Sequence, residues 1–294
     1  MMTQVPPPAG RGKVPVWRTA IGSYGFVFGN LGRFFALGWL LFMINFAATM
    51  ASGFVFNVGA REEASVADWV NYIALSAISW AMYAVFAVRW HRFFLLNERE
   101  SVFSDVLGAR NWRFLGYTVL LSFAPVLPII FLGLIGFGDF PLEAEPQAME
   151  AINWTPIILF GLYLLAFPII IFVLFRFFLV LPATAVDRPL TLGEAWRNMR
   201  GNTWRFIGAT LLIGIPLMIA VSIQAMFAAF SQVASATGGV PEPTIGDLVA
   251  TNAVMAIIGF LLVAAGITVL STFYRHIVGM DAPWGGAHVF AEGP

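Results

Sequence analysis

The chain contains no cysteine, which excludes disulfide bonds, thiol nucleophiles and cysteine-ligated metal sites. Charged residues are also scarce: they make up 11% of the 294 residues, whereas soluble domains carry about 25%. The 16 basic and 16 acidic residues cancel, and a net charge of zero argues against a nucleic-acid partner. Because 59% of the residues are hydrophobic, the composition predicts an integral membrane protein.

Six apolar runs are long enough to cross a bilayer, which takes about 20 residues. They cover residues 34–56, 69–88, 114–137, 157–175, 206–230 and 248–273, and none contains Asp, Glu, Lys, Arg or His. We therefore predict an all-α, polytopic transmembrane helical bundle of six spans at 17–280, between a disordered cytoplasmic tail at 1–16 and a cytoplasmic tail at 281–294. Four prolines inside these runs are expected to kink their helices: Pro125, Pro128, Pro168 and Pro216.

The distribution of charge predicts the orientation of the spans. Fifteen of the sixteen basic residues fall in the N-terminal tail, the second and fourth loops and the C-terminal tail; the exception is Arg61. The first, third and fifth loops instead hold Glu62, Glu63, Asp68, Asp139, Glu143, Glu145, Glu150, Glu242 and Asp247. By the positive-inside rule, both termini are expected on the cytoplasmic side.

The sequence contains an apparent internal repeat. Residues 19–34 align without gaps on residues 191–206. A shorter copy at 101–114 keeps the opening hydroxyl and ends with Asn111, Arg113 and Phe114. Each copy directly precedes an odd-numbered span. The simplest account is three parallel helical-hairpin repeats, each an amphipathic surface helix, an outward span, a loop and a return span. Their approximate limits are 17–96, 97–186 and 187–280.

The third copy has the clearest signs of a surface helix. Thr191 and Glu194 form a capping-box signature for a helix start. Trp196 and Met199 follow at helical spacing, and Gly201 is expected to end the helix. Such a helix would place its apolar face among the lipid headgroups and its arginines toward water and phosphate.

Each copy contains a turn that leads from its surface helix into the following span. A glycine is expected to allow a sharp turn in the first and third copies, at Gly29 and Gly201. An asparagine is expected to hydrogen bond there, where backbone groups otherwise lack partners. These repeat-motif asparagines are Asn30, Asn111 and Asn202.

Six arginines mark the basic ends of the six spans, and we call them the arginine collar: Arg33, Arg92, Arg113, Arg176, Arg205 and Arg275. Apolar residues continue past Arg176 to Val186, so Arg176 is expected to lie deeper than the others. One hypothesis is that the collar forms pockets for anionic lipid headgroups. The alternative is that these arginines only determine topology and snorkel to the interface.

No catalytic residue is predicted. His91 and His276 end even-numbered spans and could meet in space as a site, but a plain interfacial role is the favoured interpretation. Three acidic residues of the third loop have the oxygen ligands that a divalent cation needs, but their irregular spacing favours a solvated loop: Glu143, Glu145 and Glu150. No metal site and no cofactor are therefore predicted.

Polar residues near the middle of the spans are few and uncharged: Asn45, Thr49, Ser52, Ser122, Ser222, Gln224 and Asn252. They are typical of interhelical hydrogen bonds and small-residue packing. Their weak polarity argues against a proton-coupled pump. A passage for lipids or small apolar molecules, which would need little charge, is compatible with them.

The surface-helix pattern and the stretch RFFLVLPATAVDRPLTLGEAWRNMRGNTWRF resemble a group of bacterial inner-membrane proteins. The group includes the YciC-like proteins and the membrane domain fused to some glycerophosphodiester phosphodiesterases. Over about residues 15 to 285, the resemblance implies an inner-membrane location and a six-span topology. The chain has no stretch for a catalytic barrel of about 250 residues, so phosphodiesterase activity is not expected.

These observations predict a non-enzymatic bacterial inner-membrane protein: a scaffold or a component that interacts with anionic membrane lipids. A membrane-protein partner or a second copy of the chain is compatible with that role. The alternative is a permease for lipids or small apolar molecules with a weakly polar pathway between the repeats. A membrane enzyme is a third and weaker reading.

Overall fold

A computed structural model gives the fold and describes residues 13–57, 66–99, 105–136, 154–236 and 245–280. Over these residues the chain is all-helical, without strands, so the predicted fold class is confirmed to that extent. The helices are α1 Val16–Gly29, α2 Leu31–Asn57, α3 Val66–Leu96, α4 Ala109–Phe123, α5 Leu127–Gly136, α6 Trp154–Phe175, α7 Val180–Ala185, α8 Leu192–Asn198, α9 Thr203–Ala236 and α10 Ile245–Val278.

Five helical stretches are long and apolar enough to cross a membrane: Leu31–Ala48, Trp69–Leu96, Ile157–Ala185, Thr203–Met226 and Val249–Val278. They correspond to the first, second, fourth, fifth and sixth predicted spans. Because an apolar helix of this length satisfies its own backbone hydrogen bonds, it is well suited to a bilayer. The chain therefore has the helices of a multi-pass integral membrane protein.

The third predicted span, at 114–137, is a broken helix. A turn at residues 124–126 separates α4 from α5, so neither helix alone is long enough to cross. Pro125 and Pro128 explain the break, because proline lacks the N–H that a continuous helix needs and its ring crowds the preceding turn. The carbonyl of Pro125 accepts a hydrogen bond from the hydroxyl of Tyr163 in α6, at 2.6 Å. Pro168 and Pro216, by contrast, remain inside α6 and α9.

Packing is concentrated at one end of the bundle. We call this the basic end; it contains the starts of α2, α4 and α9 and the ends of α3, α7 and α10, where the arginine collar lies. In α3, residues 84–95 are all buried, whereas the described side chains between 66 and 74 are exposed. The largest buried side chains include Trp90, Phe86 and Tyr274. The opposite end presents mostly apolar side chains, which in a membrane would face lipid.

Helix α1 packs against α9 and α10 rather than standing apart from the bundle. The N–H of Val14 donates to Asn202 Oδ1 at 3.1 Å, and the hydroxyl of Tyr24 donates to the Ile213 carbonyl at 2.7 Å. Ile213 lies ten residues into α9, or about 15 Å along a helix. Contacts of α1 therefore follow α9 from its start well into the span. Val14, which falls within the tail predicted at 1–16, is buried.

The two faces of α1 are unlike those of a simple surface helix. Its buried face carries the hydroxyls of Thr19 and Ser23, which donate to the carbonyls of Pro15 and Thr19 at 2.7 Å and 2.8 Å. Trp17 is 64% exposed and Phe28 is 56% exposed. Since the hydroxyls are satisfied within the helix itself, the polar face can be buried against α9 and α10 while the aromatic face remains outside.

The helix predicted from the third copy is α8. Its capping box is complete: Thr191 Oγ1 accepts from the N–H of Glu194, whose carboxylate accepts from the N–H of Thr191. Gly201 has φ +86° and lies in the turn that leads into α9, as a helix-ending glycine should. Gly29 differs from this expectation, because it is the last residue of α1 and the chain passes into α2 through Asn30. In the second copy, residues 105–107 form a turn directly before α4, and 101–104 lie outside the described residues.

Candidate lipid-headgroup site

Arg92 is fully engaged by the protein. Its Nε and Nη2 donate to the two carboxylate oxygens of Glu98 at 2.6 Å and 2.7 Å. Its Nη1 donates to the Ala185 carbonyl at 3.0 Å and to Asp187 Oδ2 at 2.9 Å. A guanidinium that is bidentate to one carboxylate and bound to a second has little capacity for a lipid phosphate. Arg92 is therefore a structural member of the collar.

Asp187 is the centre of this ionic cluster. It follows α7 with φ +56°, a left-handed conformation that Asp tolerates better than most residues. Arg110 of α4 holds the same carboxylate through Nε and Nη2, at 2.9 Å and 2.8 Å. Partial burial raises the pKa of Asp187, but the hydrogen bonds and charges of Arg110 and Arg92 outweigh it, and the net pKa is lowered. Sequence reasoning missed Glu98 and Asp187 as partners of Arg92, and Arg110 as a second partner of Asp187.

Three collar arginines rest on aromatic rings instead. The distances from the guanidinium carbon to the ring centroid are 5.6 Å from Arg33 to Phe93, 5.0 Å from Arg275 to Phe94, and 4.2 Å and 5.3 Å from Arg176 to Trp196 and Phe172. A ring contact covers the face of a guanidinium, while the N–H donors lie at its edge. Cation–π contact of this kind holds an arginine without neutralising its charge.

The remaining two collar residues differ again. Arg205 donates from Nη1 to the carbonyl of Val14 at 3.0 Å, so it helps to hold the segment before α1. Arg113 is exposed in the second turn of α4. The six residues thus have four different environments: an ionic cluster, aromatic rings, a backbone carbonyl and an exposed surface.

Arg176 contacts the start of α9, and its greater depth in the bilayer relative to the other collar residues stays a prediction. Its Nε makes a long hydrogen bond of 3.4 Å with Oγ1 of Thr203, the first residue of α9. Residues 179–186 are all buried against other helices. The apolar run after Arg176 is therefore explained by packing within the protein.

The three repeat-motif asparagines all hydrogen bond to backbone groups near a turn. In two of them the side-chain amide donates to carbonyls a short way back in the chain, and in the third the amide oxygen accepts from a distant N–H. The bonds are Asn30 Nδ2 to Phe26 O at 2.8 Å, Asn111 Nδ2 to Asp105 O at 2.7 Å and to Val106 O at 3.0 Å, and Val14 N to Asn202 Oδ1 at 3.1 Å. These contacts give the asparagines a role in shaping the turns.

The two histidines named from sequence have different environments. His91 is 1% exposed, and its Nδ1 lies 2.6 Å from Oγ of Ser271 in α10. Ser271 donates its own proton to the Ile267 carbonyl at 2.8 Å, so His91 Nδ1 carries the hydrogen and donates. His276 is exposed in the last turn of α10. One helical turn before Ser271 in α10, Thr268 Oγ1 accepts a hydrogen bond from Trp90 Nε1 at 2.9 Å. We call the His91–Ser271 and Trp90–Thr268 bonds the α3–α10 polar seam.

Within the described residues, no three His, Asp or Glu side chains are close enough together to hold a metal ion. The loop carboxylates Glu143, Glu145 and Glu150 lie outside the described residues. In the described part of the chain, the side chains that cluster at the candidate site are arginines and aromatic residues. Such groups suit phosphate and other oxyanions.

Comparisons with protein-family models, with curated proteins and with solved structures find no significant match to this chain.

Proposed function

We propose that this chain is a non-catalytic protein of the bacterial inner membrane whose basic end lies at the cytoplasmic surface and holds anionic lipid headgroups. It crosses the membrane six times, with α4 and α5 together as the third crossing. From Ala109 to Gly136 these helices would extend about 42 Å if straight, more than the hydrocarbon thickness of about 30 Å. The resemblance to YciC-like proteins is consistent with this proposal and remains a prediction.

The observation that carries the proposal is the excess of positive charge at the basic end. The described residues there include fourteen Lys or Arg and only four Asp or Glu. Two of the four carboxylates, Glu98 and Asp187, are already bound to Arg92 and Arg110. The cytoplasmic leaflet of a bacterial membrane supplies anionic lipids, which are the natural counter-charge for such a surface.

Exposed tryptophans support a membrane interface at the same level. Each of three helices, α1, α4 and α9, carries in its first or second turn an exposed Trp followed directly by an Arg. The pairs are Trp17 with Arg18, Trp112 with Arg113, and Trp204 with Arg205, and the tryptophans are 64%, 56% and 68% exposed. Tryptophan is enriched at the headgroup level, where a neighbouring arginine reaches lipid phosphate.

The proposal predicts a specific stabilisation by anionic lipid. The protein is reconstituted into nanodiscs of phosphatidylcholine alone or with phosphatidylglycerol, and its melting temperature is measured at low and high salt. We expect a higher melting temperature with phosphatidylglycerol and a smaller difference at high salt, because salt screens exposed charges. Equal melting temperatures in the two lipids at low salt would contradict the proposal.

A second candidate, the permease, is favoured by a cavity beside the helix break. A shallow apolar cavity of about 410 Å³ is lined by Leu127, Pro128 and Phe131 of α5 and by Leu159 of α6. Its apolar lining suits part of an acyl chain. Dithionite quenching of fluorescent phospholipid in proteoliposomes measures lipid movement between leaflets: faster movement than in protein-free vesicles would favour a permease, and an equal rate would favour the lipid-binding scaffold.

A further inference from the structure

One collar residue has an environment unlike the others, because two aromatic rings from different elements enclose it. The guanidinium of Arg176 lies 4.2 Å from the ring centroid of Trp196 in α8 and 5.3 Å from that of Phe172 in α6. We call this arrangement the Arg176 clamp. Two ring contacts from different elements restrict the guanidinium more than one ring contact would.

The rings of the clamp are themselves held by neighbouring rings. Phe172 packs on Trp204 of α9 with centroids 4.9 Å apart, and Trp196 packs on Phe177 with centroids 5.4 Å apart. Aromatic pairs at such distances stabilise each other beyond the area that they bury. The clamp is therefore built from α6, α8 and α9 together, and its position depends on the tertiary fold.

A hydrogen bond sets the rotation of the guanidinium within the clamp. Thr203 Oγ1 donates its proton to the Met199 carbonyl at 3.2 Å, so it can accept from Arg176 Nε, which lies 3.4 Å away. This bond occupies the Nε side of the fork. The two terminal nitrogens, Nη1 and Nη2, are left as a pair of parallel donors, the geometry that binds two oxygens of a phosphate.

No carboxylate among the described residues neutralises the charge of Arg176. In the part of the chain that the structure describes, ion pairs with Asp or Glu are made by Arg92 and Arg110, and none involves Arg176. The carboxylate of Glu194, two residues from Trp196, is used by the N–H and hydroxyl of Thr191 in the capping box. A half-buried cation without a carboxylate favours an anionic ligand, because the ligand would complete the charge balance.

The clamp also lies where a phosphate is available. Arg176 is level with the first turn of α9, and there Trp204 is 68% exposed beside Arg205. If this level is the membrane interface, as the proposed function requires, lipid phosphates lie within reach of the Nη1 and Nη2 edge. We propose that the Arg176 clamp is a specific binding site for one phosphate group, presented by an anionic lipid or as free phosphate. This inference rests on the proposed function and names the residue that recognises the headgroup.

The test is a binding titration on the full-length protein in dodecyl maltoside. The melting temperature is followed while dihexanoyl phosphatidylglycerol, dihexanoyl phosphatidylcholine or inorganic phosphate is added to the wild type and to four variants. For phosphatidylglycerol we expect Arg176→Gln to weaken the apparent affinity about tenfold or more, because a bidentate charged contact is lost. Arg176→Lys keeps the charge but not the planar guanidinium, so its affinity should lie between those of the wild type and Arg176→Gln.

Two further variants separate the clamp from general charge. Arg188→Gln removes one exposed positive charge outside the collar, and its affinity should stay within about twofold of wild type. Trp196→Leu removes one ring but no charge, and should weaken binding because Arg176 is no longer held in place. The melting temperature of each variant without ligand reports whether it is folded; if Arg176→Gln is not, Arg176→Lys and Trp196→Leu decide the question.

The outcomes are distinct. If inorganic phosphate binds with the same dependence on Arg176, the ligand is free phosphate; if only phosphatidylglycerol does, the ligand is lipid. If the wild type responds to phosphatidylglycerol and folded Arg176→Gln responds equally, the clamp inference is overturned and the proposed function stands. A wild type that responds to neither phosphatidylglycerol nor phosphate overturns both.

Discussion

Arg92 Nη1 lies 2.9 Å from Asp187 Oδ2, and this ion pair joins the end of α3 to the residue that follows α7. Arg110 of α4 binds the same carboxylate, so three helices converge on Asp187. One acidic residue thereby neutralises part of two basic ones and joins α3, α4 and the segment after α7. The collar thus contains an arginine bound to carboxylates, Arg92, as well as one that lies between aromatic rings, Arg176.

Replacing Asp187 by Asn should destabilise the protein at neutral pH. Asn keeps the shape of the side chain and tolerates φ +56°, so the change removes mainly the charge. Because the Asp187 side chain is 55% exposed, we expect a cost of only about 1 kcal/mol. Thermal unfolding in detergent measures it, and an unchanged melting temperature at neutral pH would contradict a structural role for the cluster.

The same variant has a predicted pH dependence. The pKa of Asp187 is lowered in the folded protein from its ordinary value of 3.8. The carboxylate therefore contributes its stabilisation above that value, and the contribution is lost as the pH falls through the folded pKa. The gap between wild type and Asp187→Asn should accordingly close in acid. Asp105→Asn is the matched control, since Asp105 also has positive φ, at +50°, and forms no ion pair among the described residues. It should lower the melting temperature at neutral pH less than Asp187→Asn does.

Tyr163→Phe should destabilise the junction between α4 and α5. It removes the hydroxyl that donates to the Pro125 carbonyl at the helix break, and an unpaired carbonyl in an apolar setting costs about 1–3 kcal/mol. The melting temperature measures the effect. Tyr117→Phe in α4 is the control, because the Tyr117 hydroxyl makes no hydrogen bond within the described residues. Equal losses in both variants would show that the Pro125 bond is unimportant.

Ser271→Ala should weaken the α3–α10 polar seam. The N–H at His91 Nδ1 loses its acceptor inside the core, where an unsatisfied donor costs about 1–3 kcal/mol. Ser222→Ala, at an exposed position in α9, removes a hydroxyl without this consequence and should leave the melting temperature nearly unchanged. A Ser271→Ala protein as stable as wild type would mean that the seam adds nothing to the packing of α3 on α10.

Features with a local cause were predictable from sequence. The capping box of Thr191 and Glu194 was confirmed, because both partners lie within four residues and need no tertiary contact. Five apolar runs became long helices for the same reason, since composition over about 20 residues decides whether a helix suits a bilayer. Pro125 and Pro128 predict kinks within one helix, whereas in the structure two prolines so close together divide it into α4 and α5.

Features that depend on which helices are neighbours could not be predicted. Asp187 gave no sign that it would meet Arg92, 95 residues earlier in the chain. The apolar run after Arg176 suggested depth in the bilayer, because hydropathy does not distinguish burial in lipid from burial in protein. Hydropathy likewise did not predict that the hydroxyl residues Thr19 and Ser23 lie on the buried face of α1. The collar was thus recognisable from the sequence, but the different contacts of its six arginines could be seen only in the structure.

Native mass spectrometry of the protein released from gently extracted membranes tests the lipid-binding proposal most directly. The wild type is compared with a variant in which Arg33, Arg113, Arg176 and Arg205 are Gln, and with a control in which four exposed arginines outside the collar, Arg99, Arg188, Arg197 and Arg200, are Gln. We predict that anionic lipid is retained by the wild type and the control and lost from the collar variant. Wild-type protein without retained anionic lipid, or equal retention in all three, would contradict a lipid-binding basic end.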